Sequence, residues 1–168
     1  MSDVSFERDI ACERDRLREL LLDRGLLTEF VRLQNPVEDK FSITIDESSS
    51  TMDWRVSTEG IPGIFSRFVD KTIPIHFVIT SPGTKPDQDG AMYLDLKGKV
   101  SGELRASLCL VPVTQDPTHT IMVVRGSLTI HIGFLSGMAS KKARDEMILP
   151  ILGELSGLLE QWSAETPA

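Results

Sequence analysis

Residue types that mark several protein classes are scarce in this sequence of 168 residues. It has only two cysteines, Cys12 and Cys109, which are too few for a disulfide framework and typical of a reduced, cytoplasmic protein. Its three histidines stand far from one another and from the cysteines, so no metal-ligand spacing is present and we expect neither metal nor cofactor. The densest apolar run, MILPIL at 147–152, is far too short to span a bilayer, so we expect no stable membrane insertion.

Positive charge is also in short supply. Eighteen Lys and Arg residues stand against 25 Asp and Glu, which gives a net charge of −7 and disfavours nucleic-acid binding.

No phosphate-binding glycine loop or nucleophile elbow occurs, and neither cysteine has a neighbouring histidine, so we predict no catalytic residues. The hydrophobic content of 40% is ordinary for a globular protein, and we expect one domain over 1–163 with a loose tail at 164–168.

What the sequence does contain is a clear order of elements. Residues 4–11 read as a strand, in which Arg8 is the one charge between Phe6 and Ile10 on an otherwise apolar face. A helix is predicted over 12–23, stopped by Gly25, and a second short helix ends before Pro36.

About six further strands follow, each with apolar residues at every second position. The alternation predicts an antiparallel sheet with one apolar and one solvated face. The last segment, Met138 to Trp162, has apolar residues at three- and four-residue spacing and therefore predicts a long amphipathic helix that covers the apolar face. The predicted fold class is α+β: a helix-grip fold, with a curved antiparallel sheet of about seven strands wrapped round a long C-terminal helix and two short helices after strand one.

Three segments carry a resemblance to a known family: IPGIFSRFVD at 61–70, GELRASLCLVP at 102–112 and VRGSLTIHIGFLSG at 124–137. With them the chain resembles the START-like superfamily, also called SRPBCC, which includes birch-pollen-allergen-like proteins and polyketide cyclases. Within it, the sequence is most similar to an actinobacterial family of unknown function. The resemblance implies an internal pocket for an apolar or amphipathic molecule between sheet and helix.

The candidate site follows from this pocket and from the side chains on the inward face. Methionine suits a surface that adapts to variable ligands, and the Arg8 guanidinium suits a ligand carboxylate, although such an arginine also reaches water from a strand end. The predicted ligand-binding residues are Arg8, Trp54, Phe65, Phe68, Phe77, Met92, Leu108, Met122, Ile130, Met147, Ile151 and Leu155.

Two features of the pattern leave alternatives open. Pro150, Gly153 and Gly157 in the last helix favour a cavity, because proline bends a helix and glycine removes volume, but the same inward set also suits a packed core. The short apolar segment 64–70 suits either a lid in which Phe65 and Phe68 point inward or a turn that caps the core.

We therefore predict a protein that binds or carries a hydrophobic or amphipathic small molecule, lipid-like or polyketide-like, and that is free to form a homodimer. One alternative is an enzyme of the cyclase or hydratase kind that uses Tyr93 or Arg8. The other is a protein-interaction module with a solid core.

Overall fold

The computed structural model describes residues 1–59 and 70–165, which form a curved antiparallel sheet of seven strands with helices on its concave face. The predicted helix-grip fold is confirmed. The strands are β1 (Ser2–Ile10), β2 (Phe41–Ile45), β3 (Ser49–Ser57), β4 (Thr72–Thr80), β5 (Gly90–Lys97), β6 (Ser101–Val113) and β7 (Asp116–His131). The helices are α1 (Arg14–Leu20), α2 (Arg24–Leu33), α3 (Ser136–Ala143) and α4 (Leu149–Glu165), with short 3-10 turns at Val37–Asp39 and Gly133–Leu135 and a π-helical turn at Arg144–Ile148.

Strand order follows from the chain with one exception. Strands β2 to β7 pair with their neighbours in sequence, and β1 joins the far edge beside β7, so the order is β1-β7-β6-β5-β4-β3-β2. The two-residue alternation read from the sequence sets the register, since Trp54 of β3 lies between Phe41 of β2 and Ile75 of β4 on the concave face.

The C-terminal helical segment covers this face. Leu155 and Leu159 of α4 are fully buried, and α4 packs against β1, α1 and α2. Two serines fix the start of the segment to β7: Ser140 Oγ accepts a hydrogen bond from the Ile130 amide at 2.9 Å, and Ser136 Oγ accepts one from Ile132 at 3.0 Å. The segment is thereby anchored at its start by polar contacts and along its length by apolar ones.

The helix is interrupted immediately before Pro150. Proline lacks an N–H, and its ring crowds the carbonyl four residues earlier, which here belongs to Glu146. The turn Arg144–Ile148 contains that carbonyl and is π-helical rather than α-helical, so the chain widens where the ring needs room. The bend predicted from Pro150 takes this form.

Gly25 does not have the role that the sequence pattern suggested. Helix α1 ends at Leu20, and Gly25 is the second residue of α2, whose first turn is capped by Asp23 Oδ1 accepting from the Leu26 amide at 3.1 Å. A Cβ on Gly25 would lie 2.8 Å from Cη2 of Trp162. The prediction of a glycine stop was therefore wrong, because this glycine permits α2 to pack closely on α4.

Two further features concern the end of the last helix and the hydropathy of the helices. Helix α4 continues to Glu165, two residues beyond the predicted domain boundary at 163. Within residues 1–59 and 70–165, none of the helices combines the length and the hydropathy that crossing a bilayer requires.

Candidate ligand-binding cleft

A cleft of about 250 Å³ lies where the end of α2, strands β3 and β4 and the start of the last helix meet. The sheet supplies one wall, the helical segment supplies the other, and polar side chains stand among the apolar ones. The lining residues are Gln34, Trp54, Val56, Ile75, Glu146, Met147, Pro150, Ile151 and Glu154.

Cross-strand pairing builds the sheet wall. Trp54 on β3 lies directly opposite Ile75 on β4, and Val56 follows two residues later on the same face. The Trp54 ring meets Phe30 of α2 edge to face, with ring centroids 6.4 Å apart and planes at 87°. Because Phe30 is fully buried, this contact ties the Trp54 ring to the hydrophobic core.

The helical wall depends on the π-helical turn. That turn contains Glu146 and Met147, and Pro150 and Ile151 follow on the first turn of α4. Turns of this kind are frequent at functional sites because they re-aim side chains that an α-helix would place elsewhere.

Two carboxylates carry charge at the edge of the cleft. Glu146 forms an ion pair with Lys142, whose Nζ lies 2.8 Å from Glu146 Oε1. Glu154 Oε2 accepts a hydrogen bond of 2.5 Å from Gln34 Nε2, and Gln34 also donates to the Phe30 carbonyl at 3.3 Å. Both glutamates are exposed, whereas Trp54 and Ile75 are buried, so the cleft has a polar rim and an apolar floor.

Trp54 combines an apolar ring with an unsatisfied polar atom. The side chain is 3% exposed, and its Nε1 is buried without a hydrogen-bond partner among the described residues. A buried N–H left unpaired costs about 1–3 kcal/mol, so an acceptor placed beside it by a bound molecule is favoured.

The structure distributes the predicted apolar site residues between the cleft, the packed core and the part of the chain outside the described residues. Trp54, Met147 and Ile151 line the cleft. Phe65 and Phe68, with most of the predicted lid 64–70, lie outside the described residues. The remaining apolar residues are at most 5% exposed and belong to the packed core: Phe77, Met92, Leu108, Met122, Ile130 and Leu155.

Arg8 contacts the last helix instead of the cleft. Its Nη1 donates to Ser156 Oγ at 3.2 Å, and its Nη2 lies 3.3 Å from Glu160 Oε2. The guanidinium on the apolar strand face thus already has a carboxylate partner from α4.

Six lining residues were not in the predicted set. Val56 and Ile75 share the alternation of Trp54, and Glu146, Pro150 and Glu154 recur at four-residue spacing on the helix, so the pattern contained a signal for both groups. No sequence pattern marked Gln34 as a lining residue, because it reaches the cleft only through the packing of α2 against α4.

Nucleophilic and metal chemistry have little support elsewhere in the described structure. Burial raises the pKa of the Cys12 and Cys109 thiols, so both are protonated near neutral pH and are poor nucleophiles. The three histidines pair separately with carboxylates: His76 with Asp53, His119 with Asp9, and His131 with Glu103. Within residues 1–59 and 70–165 no group of three or more His, Cys, Asp or Glu side chains is placed to hold a metal ion.

Comparison with solved structures identifies the architecture. A START superfamily protein from Mycobacterium smegmatis superposes with a TM-score of 0.55 at 14% identity, covering 97% of each chain. The fold is START-like. The same START-like architecture recurs in norcoclaurine synthase from Thalictrum flavum, with a TM-score of 0.61 and 12% identity over 98% of this chain and 87% of that one.

A third similar structure is the Zhui aromatase/cyclase from a Streptomyces species, with a TM-score of 0.58 and 14% identity over 98% of this chain and 94% of that one. No family model matches the sequence, and the search of curated proteins finds no match either. Identities this low carry the START-like fold across and leave the ligand to be argued from the cleft itself.

Proposed function

We propose that this protein binds or carries a hydrophobic or amphipathic small molecule in the cleft between β3, β4 and the last helix. The observation that carries the proposal is a floor of buried apolar side chains, Trp54 and Ile75 facing Ile151, under a rim that contains Glu146 and Glu154. Apolar walls with a few polar groups are typical of small-molecule sites. The two cysteines are free thiols, which supports the cytoplasm as the proposed compartment.

A carrier suits the cleft better than the enzymatic alternative. Tyr93 is 40% exposed and stacks under Arg105, whose guanidinium carbon lies 5.3 Å from the ring centroid, so it belongs to the outer face of the sheet. Arg8 is held by Glu160. Neither of the polar groups expected for a cyclase or hydratase therefore lines the cleft.

The size of the cleft favours a compact ligand. A cavity of about 150 Å³ suffices for a benzene ring, and ligand pockets usually have volumes of at least about 300 Å³. At about 250 Å³, the described cleft has room for one aromatic ring with a short polar arm. We therefore propose a small cyclic or short-chain molecule for this part of the protein.

The neutral, polarity-sensitive dye 4-(dimethylamino)benzonitrile has one aromatic ring and therefore fits the cleft. It tests the proposal in a Trp162→Phe background, where Trp54 is the only tryptophan. We expect saturable binding near one site per chain, with quenching of Trp54 emission. Val56→Phe should fill the cleft and weaken dye binding, whereas Val111→Phe on the exposed side of β6 should not.

Native mass spectrometry of the purified protein adds an independent measurement, because a co-purified small molecule would appear as an added mass that Val56→Phe removes. Absence of saturable dye binding in the Trp162→Phe protein would refute the proposal. The solid-core interaction module would then be the better description of this domain.

A further inference from the structure

The charge of the cleft is negative and only partly compensated. No lysine or arginine occurs among its described lining residues, which include Glu146 and Glu154. Lys142 neutralises Glu146 through a 2.8 Å contact. Glu154 has no ion pair with any residue in 1–59 or 70–165, and its partner Gln34 is neutral. One full negative charge therefore stands at the rim without a counter-charge from this part of the chain.

Glu154 is held at the rim by its neighbours. Gln34 Nε2 donates both to Glu154 and to the carbonyl of the fully buried Phe30, so a single amide nitrogen links the carboxylate to the backbone of α2. On the helix, Glu154 lies two turns beyond Glu146, with Pro150 between them. The carboxylate thus stands at one end of an apolar strip that is about 12 Å long at 1.5 Å per residue.

The second observation is Trp54, which lines the same cleft and whose buried N–H has no partner among the described residues. A neutral acceptor, such as an ether, carbonyl or hydroxyl oxygen, satisfies this donor. A carboxylate placed there would lose its hydration in exchange for a single hydrogen bond, which is strongly unfavourable. A carboxylate placed at the rim would instead meet Glu154.

We infer that the cleft selects ligands whose polar group is cationic or a neutral hydrogen-bond donor, such as an amine or an alcohol, and that it rejects carboxylates. This inference rests on the proposed function and narrows its ligand class. Glu154 is the specificity-determining residue, because it accepts a hydrogen bond from an ammonium or hydroxyl group and repels a second carboxylate.

Three probes of matched shape test this selectivity: 3-phenylpropylamine, 3-phenylpropan-1-ol and 3-phenylpropionate. Each is titrated against the dye complex of the full chain at low ionic strength. We expect the amine to displace the dye about fivefold more effectively than the carboxylate, since an exposed ion pair has a modest energy. The alcohol should lie between them, and added salt should shrink the difference.

Two variants assign the preference to the cleft. Glu154→Gln should bring the ratio of amine to carboxylate to about twofold or less, with each displacement corrected for the dye affinity of the variant itself. The melting temperature should stay unchanged, because glutamine still accepts the bond from Gln34. Glu165→Gln removes the same charge from the same helix outside the cleft and should leave the ratio at its original value.

Equal displacement by amine and carboxylate, or a preference that survives Glu154→Gln, would overturn the selectivity while dye binding left the proposed function standing. Failure of the protein to bind dye at all would overturn both. A preference that Glu165→Gln abolished as completely as Glu154→Gln would also overturn the inference, because the attraction would then come from the net charge of the molecule.

Discussion

Replacing Arg14 tests how the loop between β4 and β5 is held. Arg14 is 7% exposed, and its guanidinium donates to four loop carbonyls and to one on β6, with no carboxylate among these acceptors. The three shortest bonds are 2.8 Å to Leu110, 2.7 Å to Gly83 and 2.8 Å to Lys85. Burial, followed by the nearby charge of Arg18, lowers the pKa of Arg14 from its ordinary value.

Arg14→Met keeps much of the side-chain length and removes all these donors. Three good bonds at about 1 kcal/mol each give a loss of about 3 kcal/mol in the free energy of unfolding. The loop carbonyls can regain water, since residues 84–89 are exposed, so the loss stays below the roughly 5 kcal/mol of a broken buried ion pair. For a domain of this size, the melting temperature should fall by about 6–12 °C.

Calorimetry measures the melting temperature, and hydrogen–deuterium exchange over residues 81–89 shows whether the loop itself is released. Arg125→Met on the exposed face of β7 is the matched control and should change stability by less than about 0.5 kcal/mol. A melting temperature within about 2 °C of the parent, or unchanged exchange in the loop, would refute the reasoning.

Three further substitutions test the core, the last helix and one titration. Leu155→Asp places a charge at a fully buried position and should unfold the domain, whereas Phe134→Asp, at a position 92% exposed, should leave its melting unchanged. Gly153→Ala should stabilise by about 0.5–1 kcal/mol in urea unfolding, because a Cβ there meets no atom within 4 Å; destabilisation would mean that this face is packed. The hydrogen bond with Asp9 raises the pKa of His119, so its contribution to stability is present below about pH 6.5 and is lost as pH rises through the raised value. An NMR titration should show this pKa falling in Asp9→Asn, and an unchanged pKa would exclude Asp9 as the cause.

The sheet could be predicted because two-residue alternation is a local signal. Trp54, Phe77 and Met92 each stand in a strand whose neighbours repeat the pattern, and all three are buried on the concave face. The last helix could be predicted equally well from the three- and four-residue spacing of its apolar residues. Leu155 and Leu159 belong to that apolar face, and both are buried.

The candidate cleft was only partly predictable, because its composition depends on packing between distant elements. Gln34 reaches Glu154 across 120 residues of chain, and no spacing rule links them. Gly25 looked like a helix stop, yet its function is to accommodate Trp162. The two-residue alternation places Trp54 and Met122 alike on the inward face of their strands. The sequence therefore could not show that Trp54 lines the cleft whereas Met122 is packed in the core.

The pairing of β1 with β7 has a consequence for synthesis on the ribosome. Val4 lies opposite Gly126, and Arg8 binds Ser156, which is 148 residues away, so the first strand finds its partners only after nearly all of the domain has emerged. Glu165 is the 111th residue after Trp54, and a stretch of this length takes roughly 5–20 s to translate. During that interval α1 and α2 are present but the last helix is not, so part of the apolar face of the growing sheet stays uncovered and open to aggregation.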